Sequence, residues 1–314
     1  MKQRSLSEIA LWLQERDDFT ILTHRRPDGD TIGCAAALCR GLRQLGKTAA
    51  VLENPQFTEK YRPYLRGLTA QQLSGHILSV DVAAETMFLL GCEGQPVELL
   101  IDHHGSNTGF AHVGYVDASA AACGEIILEL LQLLGVQPDQ KIAEAIYLAV
   151  STDTGCFRYS NVTANTLRTA AICKDWGADT FSINRIMFMT KRMARLQLEA
   201  QLTQNTEFFA KGKVAISAIT DRMRRELGIT EDDIDDISGF CREIAGVEIG
   251  VMLRNEPEGA KLSVRTAPEY DACAICARLG GGGHRAAAGA TVKGTLEEAK
   301  AAVLKAIESC GVEL

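Results

Sequence analysis

Three apolar runs, Phe19-Thr20-Ile21-Leu22, Ile77-Leu78-Ser79-Val80 and Leu99-Leu100-Ile101, each end at or just before a carboxylate or an imidazole. Runs without polar alternation predict strands buried on both faces, as in a parallel sheet. Helical patterns separate them. Ser5-Leu6-Ser7-Glu8 has the form of a capping box and opens a first helix that runs to the turn at Asp17-Asp18. Asp30-Thr31-Ile32-Gly33-Cys34-Ala35-Ala36-Ala37-Leu38-Cys39 begins a helix of small residues that stops at Gly46, and a strand is expected over 47–52. Further helices are expected over 123–134, 142–150 and 161–177, with Asp153 in a small-residue loop. Residues 181–209 read as helical and charged, with Lys191, Arg192 and Arg195 close together. The pattern then shortens to strands over 214–219, 248–254 and 261–265, a helix over 231–242 and a closing helix over 296–309. The expectation is an α/β chain in three parts: a parallel-sheet domain over 1–185, a helical connector over 186–208, and a smaller α/β domain over 209–314.

Composition narrows this. A chain of 314 residues with 46% hydrophobic content is long enough for two cores. No run approaches the roughly 18 apolar residues of a membrane span, and the amphipathic N-terminus lacks a signal-peptide core, so a soluble cytoplasmic protein without membrane contact is expected. Ten cysteines sit mostly in apolar helical patterns, which suits buried thiols; the lone Cys273-x-x-Cys276 pair reads as helix packing in preference to a zinc site. A net charge of −7 argues against long duplex nucleic acid, yet a few local arginines or bound cations suffice for one or two phosphates.

The candidate chemistry lies at the strand ends. In Thr23-His24-Arg25-Arg26-Pro27-Asp28-Gly29-Asp30, Pro27 and Gly29 impose a turn that lets His24, Asp28 and Asp30 converge, a donor set for a divalent cation. PDGD is also ordinary turn chemistry. Asp81, the Asp102-His103-His104 triplet and Asp153 follow buried segments, and in an open α/β sheet such residues meet in one crevice outside the carboxyl ends of the strands. Taken singly, Asp81 and Asp153 would serve as helix or turn caps. In the C-terminal part, Gly280-Gly281-Gly282-Gly283-His284-Arg285 offers a backbone that a ligand can approach closely, with His284 and Arg285 beside it. It lacks the GK[ST] ending of a P-loop. A flexible hinge is the plainer alternative.

In order and spacing, His24-x3-Asp28-x-Asp30, Asp81, Asp102-His103-His104, Asp153 and the terminal GGGGH motif resemble the DHH phosphoesterase family over essentially the whole chain. Size and the GGGGHRAAAG ending are most similar to its stand-alone nanoRNase group, which combines oligoribonuclease and 3'-phosphoadenosine-5'-phosphate phosphatase activities. The resemblance implies an active site in the cleft between the two domains and two Mn²⁺ ions per chain, with Mg²⁺ or Co²⁺ as substitutes. His24 and Asp28 would hold one, Asp30, His103 and Asp153 the other, and Asp81 would bridge both. His104 would face the scissile phosphate, and Asp102 would support it or bind metal weakly. Arg265, Gly281, Gly282, Gly283, His284 and Arg285 would contact the substrate. That substrate would be a short RNA, a linear dinucleotide or a nucleoside bisphosphate, cleaved by a cation-activated water with either exonuclease polarity. A homodimer stays open. Pyrophosphate or polyphosphate hydrolysis by the same chemistry and a non-catalytic nucleotide sensor are the alternatives; the scarcity of Lys and Arg in the C-terminal part favours a nucleotide.

Overall fold

The computed structural model describes residues 1–89, 91–92, 94–234 and 236–313. The chain divides into two compact units, Met1–Thr190 and Lys191–Leu314.

The first unit runs β1 (Lys2–Gln3), α1 (Leu6–Gln14), β2 (Phe19–Leu22), α2 (Gly29–Gln44), β3 (Ala49–Leu52), α3 (Arg62–Leu65), β4 (Thr69–Ala70), β5 (His76–Val80), β6 (Leu99–Asp102), β7 (Val113–Val116), α4 (Cys123–Leu133), α5 (Gln140–Asp153), α6 (Ala164–Asp175) and α7 (Thr180–Asn184). Its seven strands form one sheet in the order β1-β7-β6-β5-β2-β3-β4, and every pairing is parallel. β2 and β6 are buried at every position, and β5 at every position after His76, as the unbroken apolar runs require of central strands. From β2 the chain moves outward to β3 and β4, then returns to the other side of β2 as β5. The order therefore reverses between β2 and β5, and at such a switch point the carboxyl ends of adjacent strands open a crevice. α2, α4 and α5 pack in the largest core cluster, where Ile32, Ala36, Ile127 and Ile146 are fully enclosed.

The second unit runs α8 (Met193–Asn205), β8 (Glu207–Phe209), β9 (Val214–Ile219), α9 (Asp221–Leu227), β10 (Ile249–Glu256), β11 (Gly259–Thr266), α10 (Ala272–Ala277), β12 (Gly282–His284), β13 (Ala287–Val292) and α11 (Leu296–Glu308). Its sheet order is β12-β13-β11-β10-β9-β8, with only β9 and β10 parallel. Alternation sorts the two faces: Ile249, Val251 and Leu253 join α10 and α11 in one cluster, while Met252 joins Leu198 and Leu202 of α8 in another. This is the α/β class expected, a parallel N-terminal sheet followed by a smaller mixed one. Among the described residues, no helix is long and apolar enough to cross a membrane.

Several local expectations are corrected. The helix expected over 231–242 is two 3₁₀ segments, Glu231–Asp233 and Ile237–Glu243; Ile234, Ile237 and Cys241 keep the helical spacing and pack in one cluster with β9 and β10, but Ser238 and Gly239 are weak helix formers within it. Lys2–Gln3, read as part of the amphipathic N-terminus, instead pairs with β7, and α1 stops at Gln14. Residues 181–209 are not one helical stretch: a π-helical turn over Arg185–Met189 separates α7 from α8. Asp153 is the last residue of α5 and not part of a loop. The glycine run is neither a hinge nor an open loop, since Gly282–His284 pairs with β13 as a hairpin. A Cβ at Gly281 would lie 2.2 Å from the Gly289 carbonyl oxygen, so the close approach of the two strands demands glycine there.

Candidate metal centre

The residues expected from the first unit gather above the β2–β5 switch point. His24 lies two residues beyond β2, Asp28 and Asp30 at the start of α2, Asp81 directly after β5, Asp102 at the end of β6 with His103 and His104 behind it, and Asp153 at the end of α5. Their donor atoms form three groups, each with all atoms within 4.8 Å of one another: His24, Asp28 and Asp81; Asp30, His103 and Asp153; and Asp81, His103 and His104. Arg265, Gly281, Gly282, Gly283, His284 and Arg285 belong to the second unit.

Each donor is held by local chemistry. Asp28 caps α2, its Oδ1 accepting from the Asp30 and Thr31 amides at 3.1 Å each, while its Oδ2 lies 3.8 Å from His24 Nε2. The His24 carbonyl accepts from Asn54 Nδ2 at 3.1 Å, and Asn54 is itself buried. Asp30 is 1% exposed and accepts from the backbone amides of Cys123 at 2.7 Å and Gly124 at 3.0 Å. These belong to the first turn of α4, whose N-cap, Ala122, has no capping side chain; Asp30 caps that helix from a distant part of the chain. His103 Nδ1 lies 3.2 Å from the Ala120 carbonyl oxygen, an acceptor that puts the proton on Nδ1 and leaves Nε2 as the donor nitrogen. That Nε2 stands 3.5 Å from Asp81, 3.6 Å from Asp153 and 3.7 Å from Asp30.

Asp81 is the centre of the group. It sits in left-handed backbone at φ 56°, a conformation that Asp tolerates better than most residues, and is 2% exposed. Thr31 Oγ1 donates to its Oδ2 at 2.6 Å, whereas its Oδ1 is buried and accepts no hydrogen bond. Burial, and then the charges of Asp30 and Asp28, push its pKa well above the ordinary carboxylate value. Asp30 is raised by burial as well, the nearby His103 opposing this. An orphaned buried carboxylate oxygen among other carboxylates and a tautomer-fixed imidazole is a costly arrangement for a protein alone, and a fitting one for a divalent cation.

Asp102 differs. Its Oδ1 accepts from the His103 amide at 2.8 Å and faces His104 Nδ1 at 2.7 Å, and its Oδ2 accepts from Asn107 Nδ2 at 2.6 Å. Burial would raise its pKa, but His104, Asn107 and the His103 amide outweigh this and hold it below the ordinary range. Burial likewise pulls His104 down, yet the Asp102 bond and charge, followed by the charges of Asp30 and Asp28, leave its pKa raised. Both Asp102 oxygens are thus engaged, and the bond to His104 Nδ1 favours the charged form of that imidazole.

Thr31, Asn54, Asn107 and the 120–124 stretch were not anticipated from sequence. Only Asn107 carried a local signal, as an Asn in the turn directly after the Asp-His-His triplet. In the second unit Arg265 donates to Ser238 Oγ at 2.9 Å, Arg285 Nη1 lies 3.9 Å from Asp271, and Gly282–His284 is an exposed edge strand. Cys273 and Cys276 are free thiols.

Comparison with known proteins follows the same division. The DHH family, N-terminal domain, matches residues 18–150, and the DHHA1 domain matches residues 211–312. The bifunctional oligoribonuclease and PAP phosphatase NrnA of Thermus thermophilus is 34% identical over 293 residues, which covers 91% of this chain and 88% of that protein. NrnA of Bacillus subtilis is 25% identical over 300 residues and 93% of each chain. Among solved structures, an exopolyphosphatase-related protein from Bacteroides fragilis matches with a TM-score of 0.83 at 22% identity, over 97% of this chain and 95% of that one. Exonuclease RecJ bound to manganese matches with a TM-score of 0.55 at 15% identity, over 98% and 95%. At these identities the two structures bear on the fold alone.

Proposed function

Since the chain belongs to the DHH family of phosphoesterases, with a DHHA1 domain behind the DHH domain, we propose that it hydrolyses short oligoribonucleotides, linear dinucleotides and 3'-phosphoadenosine-5'-phosphate with the help of two Mn²⁺ ions. The observation that carries the reading is the gathering of three overlapping three-donor groups, two of which include Asp81, whose Oδ1 is buried and accepts no hydrogen bond. His24 and Asp28 would hold one cation, Asp30, His103 and Asp153 the other, with Asp81 between them. Cations held there supply a Lewis acid for phosphoryl oxygens and acidify a water at neutral pH. The remaining chemistry belongs to side chains. Asp102 engages Nδ1 of His104 and favours its charged form, so His104 is suited to give a hydrogen bond or a proton to a phosphate oxygen. Asn107 holds the far oxygen of Asp102, which keeps that imidazole oriented. The similarity to the NrnA proteins, over most of each chain, favours nucleotides over inorganic phosphates. The test is one assay of the purified protein with Mn²⁺ against pApA, a five-nucleotide RNA, 3'-phosphoadenosine-5'-phosphate and pyrophosphate. Turnover of the three nucleotides is expected; turnover of pyrophosphate alone would replace this reading with an inorganic one.

His104→Ala is expected to lower kcat by about 10²- to 10⁴-fold, the range of a lost acid–base group, without loss of bound manganese. Manganese missing from the purified variant would make His104 a ligand instead. For the second unit, Arg265, the Gly281-Gly282-Gly283 edge, His284 and Arg285 are assigned to substrate binding. Arg265→Ala and His284→Ala should raise KM for pApA with little change in manganese uptake. An unchanged KM with a reduced kcat would move these residues out of binding.

A further inference from the structure

Every member of the Asp30–His103–Asp153 group leans on one short stretch of backbone, directly or through one side chain. The Ala120 carbonyl faces His103 Nδ1 at 3.2 Å, and the Cys123 and Gly124 amides donate to Asp30 at 2.7 and 3.0 Å. Asp153 is tied to that stretch through the side chain of Asn161. Asn161 Nδ2 donates to the Ala121 carbonyl at 3.0 Å and to the Asp153 carbonyl at 3.2 Å, so a single amide joins the end of α5 to the 120–124 backbone. Just behind it, Asn165 and Thr166 donate to the two oxygens of buried Glu125 at 2.7 Å each, which anchors the first turn of α4 to the start of α6. The other donor group rests on different supports: Asp28 on the α2 amides, Asp81 on Thr31, and the His24 backbone on Asn54.

We propose that Asn161 is a positioning residue for one cation site only, holding Asp153 in register with Asp30 and His103 through the 120–124 backbone. This rests on the two-cation reading above. Asn161 is exposed and lies outside the core clusters, so its removal should leave the fold in place and act on the geometry of that group. Loss of such an outer support typically weakens metal binding about 10- to 100-fold.

The experiment is calorimetric titration of metal-stripped full-length protein with Mn²⁺, for wild type, Asn161→Ala and Asn161→Leu, the last similar in shape but without the donor. Wild type should take up two Mn²⁺. In both variants one Mn²⁺ should bind as in wild type and the other about 10- to 100-fold more weakly, while the unfolding temperature in EDTA stays unchanged. Two unchanged affinities, an equal loss at both sites, or wild-type binding by Asn161→Leu would overturn the role of Asn161. A wild-type protein that binds fewer than two Mn²⁺ would overturn the two-cation reading, and this inference with it.

Discussion

Asp81→Asn is expected to cut turnover by at least about 1,000-fold, equivalent to roughly 4 kcal/mol of transition-state stabilisation, with no loss of fold. Asn suits the φ 56° backbone at this position better than Ala does, and it can still accept from Thr31, so the substitution removes the charge without removing the turn. Its effect on stability should change sign with metal. Asp81 has a folded-state pKa raised well above 3.8, chiefly by burial and then by Asp30 and Asp28. A carboxyl of that kind contributes stability below its unfolded pKa and loses it as pH rises through the folded value. In EDTA the wild-type unfolding temperature should therefore fall from about pH 4 upward, and Asp81→Asn should flatten that fall and melt higher at pH 7. With Mn²⁺ the order reverses, because a ligand at 100 times its Kd stabilises wild type by about 2.7 kcal/mol and the variant gains little of this. Thermal melts of both proteins across pH, with EDTA and with Mn²⁺, measure all of it. Near-normal hydrolysis by the variant under saturating Mn²⁺, or an undiminished Mn²⁺-induced shift, would remove Asp81 from the centre of the site.

Gly33→Ala should destabilise the first unit although alanine is the better helix former by about 1 kcal/mol. A Cβ on Gly33 would stand 2.3 Å from the Ala145 carbonyl oxygen and 2.8 Å from Ala149 Cβ, so α2 would have to withdraw from α5. Backbone cannot rotate aside as a side chain can, and overpacking of this kind costs about 1–3 kcal/mol. At roughly 2–4 °C per kcal/mol for a unit of this size, several degrees of melting temperature are at stake. Activity should suffer more. Asp30 lies one turn before Gly33 and Asp153 one turn after Ala149, so the separation of the two helices sets the distance between two donors. A misplacement of about 1 Å at a reacting centre can cost 100-fold. Gly41→Ala is the matched control: its Cβ would meet the Leu131 Cδ2 tip, which can move, so a smaller loss is expected. A Gly33→Ala protein that melts above wild type, as helix propensity alone would have it, would show that the helices are not held at contact distance by this glycine.

Parts of both units are legible in the local pattern of apolar and polar residues. Phe19–Leu22 and Val214–Ile219 form strands with the bounds the apolar runs predict, and the Ser5–Glu8 capping box opens α1 as its spacing requires. These elements are legible because their signal is local: burial on both faces, or a side chain bonding an amide three residues away, is written into neighbouring residues. The residues at strand ends are legible for a related reason, since a carboxylate or imidazole directly after a buried run must emerge at the sheet's edge. β1, β4 and β8, of two or three residues each, carry no such pattern and exist only because a neighbouring strand offers its edge.

What the sequence by itself determined is which donors exist and which end of the sheet they reach; what the tertiary structure decided is how they are shared. Asp102 stands in the triplet beside two imidazoles, yet the His103 amide and His104 Nδ1 meet one of its oxygens and Asn107 the other. Thr31 on Asp81, the α4 amides on Asp30 and Asn161 on the Ala121 carbonyl join parts of the chain 40 or more positions apart, which meet only when the helices pack on the sheet. Asp30 and Cys123 are 93 positions apart, and no local spacing encodes a hydrogen bond across that interval. The glycine run shows the same limit in the second unit, because a GGGG stretch alone does not distinguish a mobile loop from a strand pressed against its partner. Side-chain pattern acts over a few residues; the choice among polar partners is made by desolvation, which begins only when distant elements close on one another and each buried polar atom must find a partner.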